Sequence, residues 1–324
     1  MRLFDQKDID KVIRLDTSLV SIIEDAFTDL VTKQTQMPPI MRVDVPEHNG
    51  ELDIKSAYIE GDDSFAVKLS SGFFNNSELG LPSANGLMIL IDSRTGRPLA
   101  VLADEGLLTE LRTAAAGAVA AKYCSSENSR KAGIIGTGAQ ARLQLKALAL
   151  VRPIESVFVY GRKTDHARSF KVDMEEELGI GVKICNSVKE VVEQSDVVVT
   201  TTPSKTPLIY SDWLHPGLHI TAMGSDAEHK QELDASVLEK ADLVVCDVKA
   251  QSMRLGELRS CGQSPVLEQA RELGALTSGR DDGRKSEDQI TICDLTGTGV
   301  QDTAIARHVY SLLVTEEDVI HERS

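Results

Sequence analysis

The chain has 324 residues, 41% of them hydrophobic, and a formal net charge of −15. That length predicts two domains with sizeable cores, at roughly 100–200 residues each. The acidic balance excludes a nucleic-acid or anionic-membrane partner, because no basic stripe exists to release counterions, and solubility accounts for the charge. Five cysteines (Cys124, Cys185, Cys246, Cys261 and Cys293) are scattered without any C-x-x-C pair. Such usage suits a reducing cytoplasm. The opening Met1-Arg-Leu-Phe-Asp-Gln-Lys-Asp8 is too charged for a signal peptide, and no apolar run approaches about 18 residues. A cytoplasmic protein is expected.

In chain order, Asp16-Thr17 caps a helix whose core face is Leu19, Ile22, Ile23, Ala26, Phe27 and Leu30. Pro38-Pro39 ends that segment. Strands are expected at Met41–Val45, Glu51–Tyr58, Phe65–Ser70, Gly86–Asp92 and Pro98–Ala103, with Asp92–Gly96 as a hairpin connection. Thr109–Tyr123 is a small-residue helix suited to close packing.

The run Ala132–Ile135 then reads as a buried parallel strand breaking into Gly136-Thr137-Gly138 and a helix from Ala139. With Gln140 and Ala141 this is G-x-G-x-x-A, the Ala-ending dinucleotide fingerprint. Gly136 allows the tight turn, Gly138 lets backbone approach a pyrophosphate, and Ala141 keeps helix and strand close. The unpaired N–H groups of the helix start favour phosphate. Strands at Ser156–Tyr160, Val182–Ile184, Val197–Thr201, His219–Ala222, Leu243–Val245 and Ile290–Cys293 alternate with helices, including Asp165–Leu178 and Val188–Gln194. Leu295-Thr-Gly-Thr-Gly299 leads into a last amphipathic helix, from Asp302 to about Leu313. The expected fold class is α/β: a doubly wound parallel-sheet (Rossmann) domain, residues 126–298, inserted into a second α+β domain, residues 1–125, to which residues 299–324 return. Ser278–Asp288 reads as a solvated surface loop.

An NAD-preferring unit ends its second strand in Asp or Glu for the ribose 2′-hydroxyl. Here the strand ends Tyr160-Gly161-Arg162-Lys163, with two cations where a 2′-phosphate would lie. The cofactor is therefore NAD(P) with a lean to NADP(H), unless these cations only decorate a loop and Asp165 serves the ribose.

Three cations, Arg42, Lys68 and Arg112, stand among apolar or small residues, where a charge is costly unless paired. A shared substrate carboxylate would satisfy all three, and Arg matches it bidentately; singly, each also fits a structural salt bridge or an exposed, snorkelling side chain. Asp226 follows a Rossmann strand, where carboxyl ends face the cleft, and can move protons on a substrate nitrogen with Lys230 keeping it ionised. The competing reading makes Asp226 the cap of a helix begun near Glu228. Asp226, His229 and Glu232 are set aside as metal ligands for want of a matching His or Cys set, so no metal is expected.

Together, Pro38-Pro39 with Arg42, Lys68, Leu111-Arg-Thr-Ala-Ala115, Gly133–Gln140, Asp226…Lys230-Gln-Glu-Leu233 and Gly299-Val-Gln-Asp-Thr303 resemble the ornithine cyclodeaminase/mu-crystallin family. Pro46-Glu-His-Asn-Gly50 and Met223–His229 are most similar to its branch labelled ectoine-utilisation cyclodeaminase homologue. The resemblance implies a homodimer formed through the sheets of the non-Rossmann domains, with a small amino or imino acid bound between that domain and a nicotinamide. It implies Arg42, Lys68 and Arg112 as carboxylate ligands and Asp226 as acid/base residue. Thr113, residues 136–140 (Gly136, Thr137, Gly138, Ala139 and Gln140), Ser225 and Thr296 would line the cofactor. The family's reactions share hydride exchange between a nicotinamide and an amino acid's α-carbon.

One departure bears on substrate. Where many members have Met-Pro-Ala-Tyr, this chain has Lys55-Ser-Ala-Tyr58, as the imino-dicarboxylate reductases also carry lysine there. Strand alternation puts Asp53, Lys55 and Ala57 on one face. If that face lines the site, Lys55 favours a second acidic group on the substrate. Against this, Asp53 matches a position that can bind the ornithine side-chain amine, or it pairs with Lys55. The leading expectation is an imino-acid reductase or amino-acid dehydrogenase acting on a small, perhaps dicarboxylic, 2-imino acid. The alternatives are an ammonia-releasing cyclodeaminase and a non-catalytic mu-crystallin-like binding protein, the last disfavoured by Asp226.

Overall fold

The computed structural model describes residues 1–314. The chain divides into two compact units: Met1–Arg112 with the segment from Thr298, and Thr113–Gly297. The first boundary falls inside the helix Leu107–Cys124 rather than at residue 125.

The first unit is built on a sheet of β1 (Arg2–Asp5), β2 (Thr35–Gln36), β3 (Met41–Val45), β4 (Gly50–Ile59), β5 (Ser64–Phe73), β6 (Ala84–Asp92) and β7 (Pro98–Ala103). Its order is β1-β7-β6-β5-β4-β2, with β3 also pairing β4. Only β1 runs parallel to its neighbour, β7. This strand and the helix after it, Gln6–Val12, were not anticipated; their short alternation of apolar and charged residues gives little periodic signal.

Strict alternation along β4 and β5 buries Asp53, Lys55, Ala57 and Ile59 on one face, with Ala66 and Lys68 beside them. Cross-strand pairing makes one row of Lys55, Lys68, Met88 and Leu102, and a neighbouring row of Arg42, Asp53, Ser70 and Gly86. The helix Thr17–Thr32 is capped by Asp16, which accepts from Leu19 N at 2.9 Å. It buries Leu19, Ile23, Ala26 and Phe27, and the three large side chains each contribute about 1.5–3 kcal/mol by removal from water.

The last helix spans Gly299–Leu313 and so begins three residues before the expected Asp302. Gln301 reaches back to accept from Thr298 N at 3.2 Å, which starts the helix earlier. A Cβ on Gly299 would stand 2.5 Å from Ser56 O, so only glycine lets the helix settle onto β4 there. Thr303 ties the helix down, donating to Ala57 O at 2.8 Å and accepting from Ala66 N at 3.1 Å.

The second unit is a parallel sheet of β8 (Lys131–Ile135), β9 (Ser156–Tyr160), β10 (Gly181–Ile184), β11 (Val197–Thr200), β12 (His219–Ala222), β13 (Leu243–Cys246), β14 (Arg271–Glu272) and β15 (Thr291–Asp294). The order is β10-β9-β8-β11-β12-β15-β13-β14, so the winding reverses between β8 and β11. That reversal is the expected doubly wound arrangement, and ligands of such sheets bind outside the strand C-termini at the switch. Strands β11, β12, β13 and β15 are buried throughout, which explains their unbroken apolar runs. Seven of the eleven residues of the 278–288 loop are exposed, and Arg284 moors the loop by donating to the carbonyls of Cys124, Gly217 and Leu218.

Candidate active site

In the first unit the buried face of the sheet gathers cations around one acid. Lys68 and Asp302 are 1% and 0% exposed, and Lys68 Nζ lies 2.9 Å from Asp302 Oδ1. Arg112, from the helix Leu107–Cys124, brings its Nε to 3.0 Å from the same oxygen. This second contact is an ion pair without hydrogen-bond alignment, so among the described residues neither Arg112 Nε nor Asp302 Oδ2 has a hydrogen-bond partner. Gln301 Oε1 accepts from Arg112 Nη1 at 3.1 Å.

Burial, then the neighbouring Arg112 guanidinium, lowers the Lys68 ammonium to about 7, with Asp302 opposing. Burial alone would raise Asp302, but Lys68, Arg112 and Lys55 together hold it below the usual carboxylate range. Nearby Asp104 is pushed up to about 6 by burial, although it accepts from Leu108 N at 2.7 Å and caps the helix carrying Arg112.

The strand register that the sequence left open puts Lys55 directly opposite Lys68, on the same buried face. Arg42 has a different fate. It is held bidentately by Asp53 at 2.7 and 2.9 Å, with Glu51 at 3.7 Å. Asp53 is thereby engaged by Arg42, where pairing with Lys55 or a ligand amine had been weighed. The structural salt bridge weighed as the alternative for each cation is present for all three, Arg42 with Asp53 and both Lys68 and Arg112 with Asp302. Donors nevertheless remain on Lys68 and Arg112, which carry three and five N–H groups. Asp302 and Gln301, 234 and 189 residues from the cations they hold, had no role assigned from sequence. Their only signal was membership of the Gly299–Thr303 segment.

In the second unit, Gly136 has φ +119°, and a Cβ there would stand 2.4 Å from Thr201 Oγ1. Gly138 precedes the helix Ala139–Val151, and nothing lies within 4 Å of where its Cβ would be. Ala141 is buried against the sheet. A turn only glycine can make, open space at the helix start and unpaired N–H groups fit a nicotinamide dinucleotide's pyrophosphate. The carbonyl of Thr113 accepts from Gln144 at 2.9 Å, and Gln144 also reaches Gln140 at 3.4 Å. Arg162 and Lys163 are exposed beside the loop, where Gly136 N donates to Tyr160 O and Gly161 packs on Thr137.

Asp226 lies on the loop after β12, and its side chain is 38% exposed. Lys230, nearly buried, donates to Asp226 Oδ1 at 2.8 Å. No helix begins near Glu228. Residues 227–230 form a turn, and the next helix, Ala235–Lys240, is capped by Asp234. The helix that Asp226 was expected to cap under the competing reading is thus absent among the described residues. The loop is fixed from beneath by fully buried Glu232, which accepts from Gly224 N (2.8 Å), Thr200 Oγ1 (2.6 Å) and both Thr202 donors (2.7 Å each). Ser225 and Thr296 are buried and turned to internal bonds, Ser225 to Lys230 O and Thr296 to Asp247 and Gln251.

Residues 2–317 match the model of the ornithine cyclodeaminase/mu-crystallin family. The chain belongs to that family. It is 47% identical over 309 residues to a putative dehydrogenase of Rhizobium meliloti (strain 1021), covering 94% of each chain. It is 46% identical over 310 residues to an uncharacterised cyclodeaminase of Sinorhizobium fredii, again covering 94% of each. Among solved structures, Δ1-pyrroline-2-carboxylate reductase of Thermococcus litoralis, in complex with NADH and L-proline, superposes with a TM-score of 0.90 at 31% identity. That match covers 96% of this chain and 97% of the reductase. Family membership accords with both features, the glycine turn of one unit and the cation cluster of the other.

The lowered Lys68 ammonium has a consequence for stability. Its folded value of about 7 lies below the ordinary lysine value of 10.5, so between these pH values the unfolded chain binds more protons. The destabilisation by Lys68 is therefore complete below about pH 7 and fades as pH rises toward 10.5. In urea titrations without ligand, Lys68→Met should exceed the wild type in stability near pH 7, by a margin that narrows by pH 10. A margin independent of pH would show that the ammonium is unperturbed.

Proposed function

We propose that this chain is an NAD(P)-dependent imino-acid reductase or amino-acid dehydrogenase, exchanging hydride with the α-carbon of a small 2-imino or 2-amino acid. The observation that carries the proposal is the sharing of one carboxylate oxygen by two buried cations, Lys68 and Arg112. Two positive charges against one negative leave a buried patch that calls for an anion, and the α-carboxylate supplies it. The glycine turn and the named relatives support the redox half of the reading.

Lys68 and Arg112 grip the α-carboxylate with their remaining donors, while Asp302 keeps both side chains in place. Arg42 supports this grip from the edge of the sheet, restrained by Asp53. Gly136–Gln140 and Thr113 would hold a nicotinamide dinucleotide, which would supply or accept the hydride when bound. Asp226 gives a proton to the substrate nitrogen or takes it back, and Lys230 holds the Asp226 carboxylate in position. Ser225 and Thr296 shape the cofactor's surroundings with hydroxyl protons already given to Lys230 O and Asp247. Lys55, facing Lys68 across the strands, adds to the positive field and suits a substrate with a second acidic group. Arg162 and Lys163 favour NADP(H), being exposed cations beside the phosphate-binding turn.

The Sinorhizobium fredii relative favours the cyclodeaminase reading. Asp53 speaks against it, because a carboxylate already clasped bidentately by Arg42 offers little to an ornithine side-chain amine. A panel of Δ1-pyrroline-2-carboxylate, pyruvate with ammonia, oxaloacetate with ammonia, and ornithine, run with NADH and NADPH, tests the choice. Net consumption of reduced cofactor with the imino acids is expected, fastest with NADPH. Ammonia release from ornithine without net redox would replace the reductase by the lyase.

Asp226→Asn should lower kcat by about 10²–10⁴, the usual worth of a positioned proton donor, and leave dinucleotide affinity unchanged. Undiminished turnover would take Asp226 out of the mechanism.

We also propose a homodimer through the outer face of the first unit's sheet. That face carries cross-strand rows of Met41, Ile54, Leu69 and Leu87, and of Val67, Ile89, Val101 and Leu3. All eight are half-exposed or exposed, Leu3 by 70% and Met41 by 58%. An apolar patch of this kind marks an association surface. Sedimentation should find the wild type dimeric and Ile89→Lys monomeric; a dimer that survives the substitution uses another surface.

A further inference from the structure

Beside the cation cluster an amide donor, Gln301 Nε2, is unanswered by any group of the described residues. Gln301 Oε1 accepts from Arg112 Nη1 at 3.1 Å and from Thr298 N at 3.2 Å. A guanidinium and a backbone N–H can only donate, so the amide oxygen must face them. The orientation of the amide is thereby settled by chemistry, and Nε2 is the other end. Nε2 is buried, on a side chain 1% exposed overall, and has no hydrogen-bond partner among the described residues. Buried amide hydrogens are nearly always paired, and one left alone points to an absent acceptor.

The surroundings say what acceptor fits. Both ends of one amide lie close together, so Nε2 stands beside the Arg112 guanidinium. Arg112 and Lys68 share a single carboxylate oxygen, leaving the patch electropositive. An anionic oxygen meets an N–H donor in such a field better than water or a neutral carbonyl does. Helix geometry also holds the donor still, because Gly299 is seated against Ser56 and Thr303 is bonded to Ala57 and Ala66.

We infer that Gln301 is a further ligand of the substrate's α-carboxylate, donating from Nε2 next to Arg112 and so selecting an acid over its amide. The inference rests on the reading that Lys68 and Arg112 bind that carboxylate, and adds a neutral hydrogen-bond donor to them.

The test compares two unreactive or slow ligands, pyrrole-2-carboxylate and pyruvate, with their carboxamides, by calorimetry on the dinucleotide-loaded chain. Gln301→Glu keeps the oxygen that Arg112 and Thr298 require but replaces the donor by an acceptor. It should weaken both acids by roughly tenfold or more, as for a lost hydrogen bond to a charged group, and the carboxamides far less. Gln301→Met removes the donor without adding charge and should show the same selective loss should the Glu variant fail to fold. A wild-type chain that binds the acids, with variants that bind them equally well or lose acid and amide alike, would overturn the assignment. A wild-type chain that binds neither acid overturns the carboxylate-binding reading beneath it, and the assignment goes with it.

Discussion

The first unit is organised around the Asp302 carboxylate and the two cations that share its oxygen. Removing a carboxylate, an ammonium and a guanidinium from water costs several kcal/mol each, and their mutual attraction repays this only with good geometry. The geometry is good because three elements distant in sequence meet there: β5 with Lys68, the helix Leu107–Cys124 with Arg112, and the helix Gly299–Leu313 with Asp302. Removing Asp302 would leave two buried cations without their shared acid, and a loss of that kind typically costs about 3–5 kcal/mol. The chain keeps it although an apolar core would be cheaper, which is the reason to connect it with a ligand. Asp302 steadies the cations and does not cancel them.

The second unit solves a different problem with the same means. Its sheet is fully parallel and winds both ways from β8 and β11, leaving loops at the strand C-termini to be fixed. Buried carboxylates fix them by accepting backbone N–H groups: Glu232 holds Gly224 and Thr202, Glu257 holds Glu232 and Leu233, and Asp247 holds Thr296 and Gly297. Burial pushes Glu257 up to about 8 and Asp294 up to about 7, so part of this scaffold is protonated near neutrality. Asp226, by contrast, is partly exposed on the loop that Glu232 supports. The difference in burial separates the acids that build the loop from the acid proposed to act on it.

Much of this was legible in the sequence because its physics is local. Gly136, Gly138 and Ala141 report a turn whose demands lie within six residues, and period-two alternation placed β3 to β7 correctly. What escaped depends on contacts far along the chain. Asp302 and Gln301 read as ordinary polar residues at a helix start, since nothing near them in sequence reveals Lys68 or Arg112. Arg42 looked like a lone cation because Asp53 becomes its neighbour only through strand register. Glu232 was weighed as a metal ligand, yet its oxygens answer backbone donors on two other loops. Arg284 turned an apparently solvated loop into a moored one for the same reason.

The register itself bears on substrate class. Antiparallel pairing brings Asp53 opposite Arg42 and Lys55 opposite Lys68. A shift of one residue would send Lys55 to the outer face and its charge into solvent. As it stands, the acid of β4 is clasped by an arginine, while the lysine two positions on faces a second lysine whose ammonium burial already disfavours. Like charges placed so close repel, and the repulsion falls when an anion enters between or beside them. A cationic ornithine tail would meet the opposite condition, adding a positive charge to a face already rich in them. The proposed preference for a second acidic group on the substrate therefore rests on this register, which keeps both lysines on the buried face with Asp302.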